Sequence, residues 1–308
     1  ALGVTAEQIH CQTGTLGIPE FGTKFVRQML LDTKPRSFAD LLRISGLSHG
    51  TDVWANNAQD LIANGTITLK DTISTRDSIM GYLINKGVEN KKSFKIMEQV
   101  RKGKGLKDED IELMKSHGVP DWYIQSCLKI KYMFPKAHAA AYVMMAFRIA
   151  YFKVNYPAAY YASYFTVRSC DDFDYLTMCK GEDVAKQTLA ELEGKGNSKT
   201  TKEKNKITVL ELIIEFYERG LDFKPIDLYK SDASKFIVDG NSLIPPFSSL
   251  QGLGINAAKN IVEGREAGEF NTIEEFKART QIGKSLIELL KDTGILSGIP
   301  ETDQLTLF

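Results

Sequence analysis

Leu250-Gln251-Gly252-Leu253-Gly254-Ile255-Asn256-Ala257-Ala258-Lys259-Asn260-Ile261 carries two glycines one residue apart, then small residues and an apolar face at helical spacing. Lacking a Cβ, the two glycines let the backbone turn sharply. The spacing predicts a helix starting just after Gly254, with Phe247, Leu250, Leu253, Ala258 and Ile261 on its packed side. Ala257 and Ala258 leave room for a second helix to pack closely.

Such a turn between two helices is the pattern of a helix-hairpin-helix motif. The first-turn N–H groups of the following helix have no partner within it, and with the positive helix end they suit one phosphate. A grip of this kind holds the DNA backbone and leaves base edges unread. The residues it implicates are Gly252, Leu253, Gly254, Ile255, Asn256, Ala257 and Lys259. A degenerate second copy follows. Thr272, with Glu275 three residues on, opens a helix, and Gln281-Ile282-Gly283-Lys284-Ser285 turns into Leu286, Leu289 and Leu290, adding Lys284 to the set. This copy lacks one glycine, and two readings stand: a tandem pair gripping both strands, or a second half that is purely structural.

The rest of the chain sets bounds on that reading. At 308 residues it is long enough for two domains. Its 39 lysines and arginines balance 39 aspartates and glutamates, so any affinity for nucleic acid must come from local patches. One candidate patch runs from Lys86 to Lys107, where Lys86, Lys91, Lys92, Lys95, Arg101, Lys102, Lys104 and Lys107 face only Glu89 and Glu98. It reads either as a solvated face or as a phosphate contact. Cys11, Cys127, Cys170 and Cys179 form no Cys-x-x-Cys pair, which predicts reduced thiols in a cytoplasmic protein. The longest apolar run, Ala139 to Phe152, is broken by Arg148 and predicts a buried helix, not a membrane span. Without an initiator methionine or a signal core, the chain reads as a piece of something longer.

Recurring caps and helical periodicity predict a mainly α fold with a small β component (α+β). Phe25 to Leu31 and Phe38 to Ile44 are amphipathic, whereas Ser45 to Trp54 reads as a compact loop. Asp121 to Phe134 predicts a helix ended by Pro135. Tyr151, Phe152, Tyr156, Tyr160, Tyr161, Tyr164 and Phe165 sit at helical spacing and are assigned to the core, not to base stacking. Thr200 and Glu203 form a capping box, and Phe236-Ile237-Val238 before Asp239-Gly240 predicts a small hairpin. Asp172-Phe173-Asp174 imitates a metal-binding pair, but with Asp171 beside it a solvated loop is expected.

The last residues, Gln304-Leu305-Thr306-Leu307-Phe308, form a short apolar peptide. Keeping two leucines and a phenylalanine in water forgoes roughly 1.5 to 3 kcal/mol of burial each, so the tail either folds back or docks on a partner. The tether-like Gly298-Ile299-Pro300-Glu301-Thr302-Asp303 before it favours docking.

Four segments carry a wider resemblance: Gly14-Thr15-Leu16-Gly17-Ile18-Pro19-Glu20-Phe21-Gly22, Ile44 to Trp54, Lys136-Ala137-His138-Ala139-Ala140-Ala141-Tyr142, and Gln304 to Phe308. With the hairpin, they make the chain resemble the C-terminal part of a bacterial DNA polymerase III alpha subunit of PolC type. The resemblance implies polymerase fingers over residues 1–165 and a duplex-binding region over 166–299, with the hairpins at about 245–297. It implies a tail at 300–308 that binds the sliding clamp through Gln304, Leu305, Leu307 and Phe308. It further implies that Arg43, Arg76, Lys129, Lys131 and His138 meet the triphosphate of the incoming dNTP, while Ser45, Gly46, His49 and Phe134 line the nascent base pair. The palm carboxylates that hold two metal ions, Mg among them, lie upstream in this family. The chain itself is therefore expected to bind no cofactor and to be inactive alone, as part of a nucleotidyltransferase. Its partners are duplex primer-template, dNTP, the clamp and the remainder of the polymerase, with no membrane. A rival reading is a non-enzymatic helix-hairpin-helix scaffold tethered to the clamp, but the long segment before Phe165 favours the polymerase. A glycosylase would need a catalytic Lys or Asp just after the hairpin, and Ile261-Val262-Glu263-Gly264-Arg265 offers no such arrangement with a base pocket.

Overall fold

The computed structural model describes residues 1–168 and 172–302. Among them are fifteen α-helices and one three-stranded sheet, in keeping with the mainly α expectation. The chain forms two compact units, Ile18–Ala150 and a second made of Ala1–Gly17 with Tyr151–Phe308. The division falls within the helix Lys136–Asn155, ahead of the expected 165, and the opening segment packs with the later unit.

In the Ile18–Ala150 unit, side-chain caps start the helices. Thr23 Oγ1 accepts from the Val26 N–H at 3.3 Å to open Lys24–Thr33, and Ser37 Oγ from the Asp40 N–H at 3.1 Å to open Phe38–His49. The second helix continues through Ser45–His49, which the sequence marks as loop. Packing overrides propensity there: Ser45, Gly46 and Leu47 are buried, and a Cβ on Gly46 would lie 2.4 Å from the Ser74 carbonyl oxygen. A wide turn follows at Trp54–Ala58, with Asn56 at φ +57°. The Asn57 amide donates to the Asp52 carbonyl at 2.8 Å, and Ser126 Oγ donates to Asn57 Oδ1 at 2.6 Å, pinning the turn to the helix Asp121–Lys129. That helix stops five residues short of Phe134. Backbone bonds from Lys131 N–H to Thr51 O (3.0 Å) and from Thr51 N–H to Tyr132 O (2.9 Å) draw the following segment out straight.

The basic stretch is partly internal to the fold. Lys92 lies 2.7 Å from the buried Asp110, and Glu98 holds Arg101 and Lys102. Hydrogen bonds from Arg101 and then Lys102 bring the Glu98 carboxyl down to about 2.

In the second unit, Thr200 Oγ1 accepts from the Glu203 N–H (3.2 Å) and the Thr200 N–H donates to Glu203 (2.8 Å), completing the expected capping box of Thr201–Glu218. A ring cluster of Tyr161, Phe165, Phe173, Phe216, Phe223 and Phe236 fills the core, with Phe216 and Phe223 centroids 4.5 Å apart. Tyr160, Tyr161 and Phe165 are buried as predicted. Tyr151, Phe152 and Tyr156 are not core: they stand 56, 53 and 54% exposed. The inward position at that level belongs to Lys153, and a helix turns by about 100° per residue, which carries Tyr151 and Phe152 away from it. Lys153 Nζ donates to the carbonyls of Leu16 (2.6 Å) and Gly14 (3.1 Å) and sits 2.7 Å from Glu215 Oε1. Burial pushes the Lys153 pKa down, against the pull of Glu215.

Strands β1 (Asp222–Phe223), β2 (Ile237–Asp239) and β3 (Ser242–Ile244) form a sheet in the order β1-β3-β2. β2 and β3 are the predicted hairpin, turning through Gly240 at φ +66°, while β1 adds a parallel edge too short to read from sequence. Asp172 and Asp174 are buried rather than solvated; Asp174 Oδ2 accepts from Lys206 Nζ (2.8 Å) and Thr177 Oγ1 (2.7 Å). Among the described residues no group of three or more His, Cys, Asp or Glu could hold a metal ion, Cys11, Cys127 and Cys179 are free thiols, and no helix is long and apolar enough to cross a membrane.

Candidate nucleic-acid interface

The turn before Ile255–Arg265 is built as its glycines require. Gly252 sits at φ +94°, a conformation other residues adopt only under strain, and Leu253 plugs the turn into a core with Phe247, Leu250, Ala258 and Ile261. Gly254 is the N-cap, with the first helical bond running from the Ala258 N–H to its carbonyl at 3.0 Å. The N–H groups of Ile255, Asn256 and Ala257 precede that bond and face out of the helix end. Of the implicated residues, Gly252, Gly254, Ile255, Asn256 and Lys259 are exposed and Ala257 is half-buried. Leu253 is buried, so its side chain anchors the turn and touches no ligand.

The second turn repeats the first. Gln281 takes φ +58° where the first copy has Gly252, Ile282 is buried like Leu253, and Gly283 caps Lys284–Asp292 as Gly254 caps Ile255–Arg265. The missing glycine is thus replaced by a residue held in the left-handed region at the end of Ile273–Thr280. Thr272 Oγ1 accepts from the Glu275 N–H at 3.0 Å, the predicted cap. The copies pack together: a Cβ on Gly252 would lie 3.4 Å from Leu289 Cδ2, and one on Gly264 would lie 2.9 Å from Thr280 Cγ2.

Gly254 and Gly283 stand apart from these packing glycines. Both have ordinary negative φ, −66° and −75°, and nothing lies within 4 Å of the position a Cβ would take. The fold demands glycine at neither position, and its absence of side chain leaves both helix ends open to close approach. Lys284 stands beside the second, almost fully exposed. Arg279, by contrast, is internal: its guanidinium donates to the carbonyls of Gly264 (2.9 Å from Nε), Gly268 (2.6 Å) and Glu269 (3.0 Å) while lying over the Phe270 ring. The sequence gives no signal for that role.

The residues expected around an incoming nucleotide divide in the Ile18–Ala150 unit. The His49 ring stacks on Phe134 at 4.8 Å, His138 meets Phe134 edge-on at 6.1 Å, and the Arg76 N–H donates to the Phe134 carbonyl at 3.3 Å. Lys131 leads into this segment, and Lys129 Nζ donates to the Asn56 carbonyl at 2.7 Å. Glu20 accepts from Ser45 Oγ and lies 3.3 Å from His49 Nε2, a contact sequence reasoning missed. Ser45 and Gly46 are interior, so the room Gly46 leaves is filled by Ser74 and Thr75 and not by a ligand. Arg43 lies about 200° around its helix from Ser45, beside Asp40, and lines a separate cavity. Gln304, Leu305, Leu307 and Phe308 lie outside the described residues.

Two copies of one turn, each offering an uncovered helix end on a single core, define a tandem helix-hairpin-helix domain. Comparison with known proteins agrees. Residues 220–304 match the helix-hairpin-helix motif family, and residues 5–118 match the bacterial DNA polymerase III alpha subunit finger domain. Over 308 residues the chain is 60% identical to the PolC-type DNA polymerase III of Caldanaerobacter subterraneus and 59% to that of Bacillus subtilis, and over 307 residues it is 62% identical to that of Halalkalibacterium halodurans. Each match covers 100% of this chain and 21 to 22% of the relative, so the chain spans about a fifth of the length of these proteins. The chain belongs to the PolC-type DNA polymerase III family, of which it is a fragment.

Proposed function

We propose that this chain supplies incoming-nucleotide handling, duplex grip and clamp attachment to a replicative DNA-directed DNA polymerase. The observation that carries the reading is the pair of open helix N-termini behind Gly254 and Gly283, two phosphate seats on one rigid core. Main-chain N–H groups there hold the duplex backbone without regard to sequence. In the finger-like unit, His138 and the Arg76 N–H both meet Phe134 of the His49–Phe134 stack, and Lys129 and Lys131 lie just before Phe134 in the chain. The positive side chains of Arg76, Lys129 and Lys131 suit a triphosphate whose negative charge grows as pyrophosphate leaves, and His138 offers it a ring nitrogen. Magnesium belongs to the palm carboxylates of the remaining polypeptide; Asp172 and Asp174, buried and in the case of Asp174 bound to Lys206, do not fit it.

The purified chain should bind duplex DNA with an affinity that falls steeply with salt, yet extend no primer when given magnesium and nucleotides. Primer extension would overturn the assignment of the catalytic carboxylates elsewhere, and salt-independent or absent duplex binding would overturn the grip. For the tail, Gln304 anchors a peptide whose Leu305, Leu307 and Phe308 fill apolar pockets on the clamp. Leu307→Ala with Phe308→Ala should abolish clamp capture in a pull-down and leave duplex affinity unchanged; retained capture would put the contact elsewhere.

A further inference from the structure

The turn Ile18-Pro19-Glu20-Phe21 closes with a bond from the Phe21 N–H to the Ile18 carbonyl at 3.3 Å, and its third residue, Glu20, sits at φ +69°. With proline second, the third position of such a turn suits glycine, and a residue with a Cβ takes it only under strain. Strain of this kind persists where the side chain it presents has a task. Here the side chain, 13% exposed, turns back to the helix Phe38–His49 and serves two of its residues with one oxygen. Oε2 accepts from Ser45 Oγ at 3.3 Å and lies 3.3 Å from His49 Nε2.

The other nitrogen of the same ring, His49 Nδ1, meets the Ser45 carbonyl at 2.9 Å. A carbonyl and a carboxylate only accept, so both contacts are satisfied when each ring nitrogen carries a hydrogen. Tied at both nitrogens, the exposed imidazole keeps one orientation, the one that stacks on Phe134 with centroids 4.8 Å and planes 27° apart. Ser45 is interior and out of a ligand's reach, and it takes part through its hydroxyl and its carbonyl.

We propose that Glu20 is the positioning residue of the incoming-nucleotide site, seating His49 against Phe134 before the nucleotide arrives. The inference rests on the reading that the His49–Phe134 stack belongs to that site. A surface histidine free to rotate would have to be immobilised by each dNTP that binds, which weakens binding by roughly two- to tenfold per side chain. With Glu20 in place the ring is already ordered in the free protein.

In the full-length polymerase, Glu20→Gln keeps an acceptor for Ser45 and removes the negative charge that faces His49. It should raise the KM for dNTP about three- to tenfold and change kcat less than about twofold, the pattern of lost ground-state binding. Added to His49→Ala it should raise KM no further, since without the ring nothing is left to position. In the 308-residue chain Glu20→Gln should hold the thermal midpoint within about 3 °C. The NMR signals of the His49 ring, displaced by the Phe134 ring above it, should move towards their positions in Phe134→Leu. If His49→Ala raises KM and Glu20→Gln does not, or if the His49 signals stay in place, the role of Glu20 is overturned while the incoming-nucleotide reading stands. If His49→Ala leaves KM unchanged, both fall. A larger drop in midpoint with kcat and KM both impaired makes Glu20 a structural residue and overturns the proposal as well.

Discussion

Replacing Glu215 by glutamine should lower the thermal midpoint of the second unit by roughly 6 to 20 °C, since losing one partner of a buried ion pair costs about 3 to 5 kcal/mol. Glu215 is fully buried, and its carboxylate is met by Lys153 Nζ at 2.7 Å and by the Tyr161 hydroxyl at 2.5 Å. Glutamine keeps the shape but leaves the Lys153 ammonium with two backbone carbonyls and no countercharge. Desolvation already weighs against that ammonium in the folded protein. The same lysine ties the carbonyls of Gly14 and Leu16, so amides of this opening segment should exchange faster in the variant. Calorimetry on Lys153→Met combined with Glu215→Leu provides the check: removing both charges should restore most of the midpoint. A double variant as unstable as the single one would show that packing, not the uncompensated charge, sets the loss.

That lysine marks where the sequence stopped being legible. Helical spacing correctly put Tyr160, Tyr161 and Phe165 in the core, because each lies on a face that meets other apolar residues. It failed for Tyr151, Phe152 and Tyr156, because the inward position is held by a charged residue whose partner lies 62 residues away. Local signals with local causes were readable: the Thr200 and Thr272 caps, the Gly240 hairpin and the Gly252 turn each depend on neighbours within a few residues. Ser45 to His49 was misread as loop because its helix is secured by Ser74 and Thr75, which no local pattern announces. At the candidate sites, His49, Phe134 and His138 do come together, whereas Arg43 turns away and Ser45 and Gly46 are interior. Residue type suggested a shared chemistry, but only the helical phase of each residue decides which side it serves.

Helical phase leaves the hairpins as the sharpest test. Gly254→Val should reduce duplex affinity roughly 10- to 100-fold, the range expected when hydrogen bonds to one charged group are lost, about 1.5 to 3 kcal/mol. The thermal midpoint should hardly move, since φ is −66° and nothing within 4 Å would meet the new Cβ. Gly252→Val cannot make this separation: at φ +94°, and beside Leu289, the substitution strains the turn and confounds stability with binding. Gly283→Val carries the question the sequence left open. Its backbone, at φ −75° in open space, matches that of Gly254, so a second phosphate seat predicts a similar loss of affinity and a salt dependence shallower by about one unit of slope. If Gly283→Val binds duplex as the unaltered chain does while Gly254→Val does not, the second hairpin only supports the first. If both weaken binding and their losses multiply in the double variant, each hairpin holds its own phosphate, as two independent contacts on one core must.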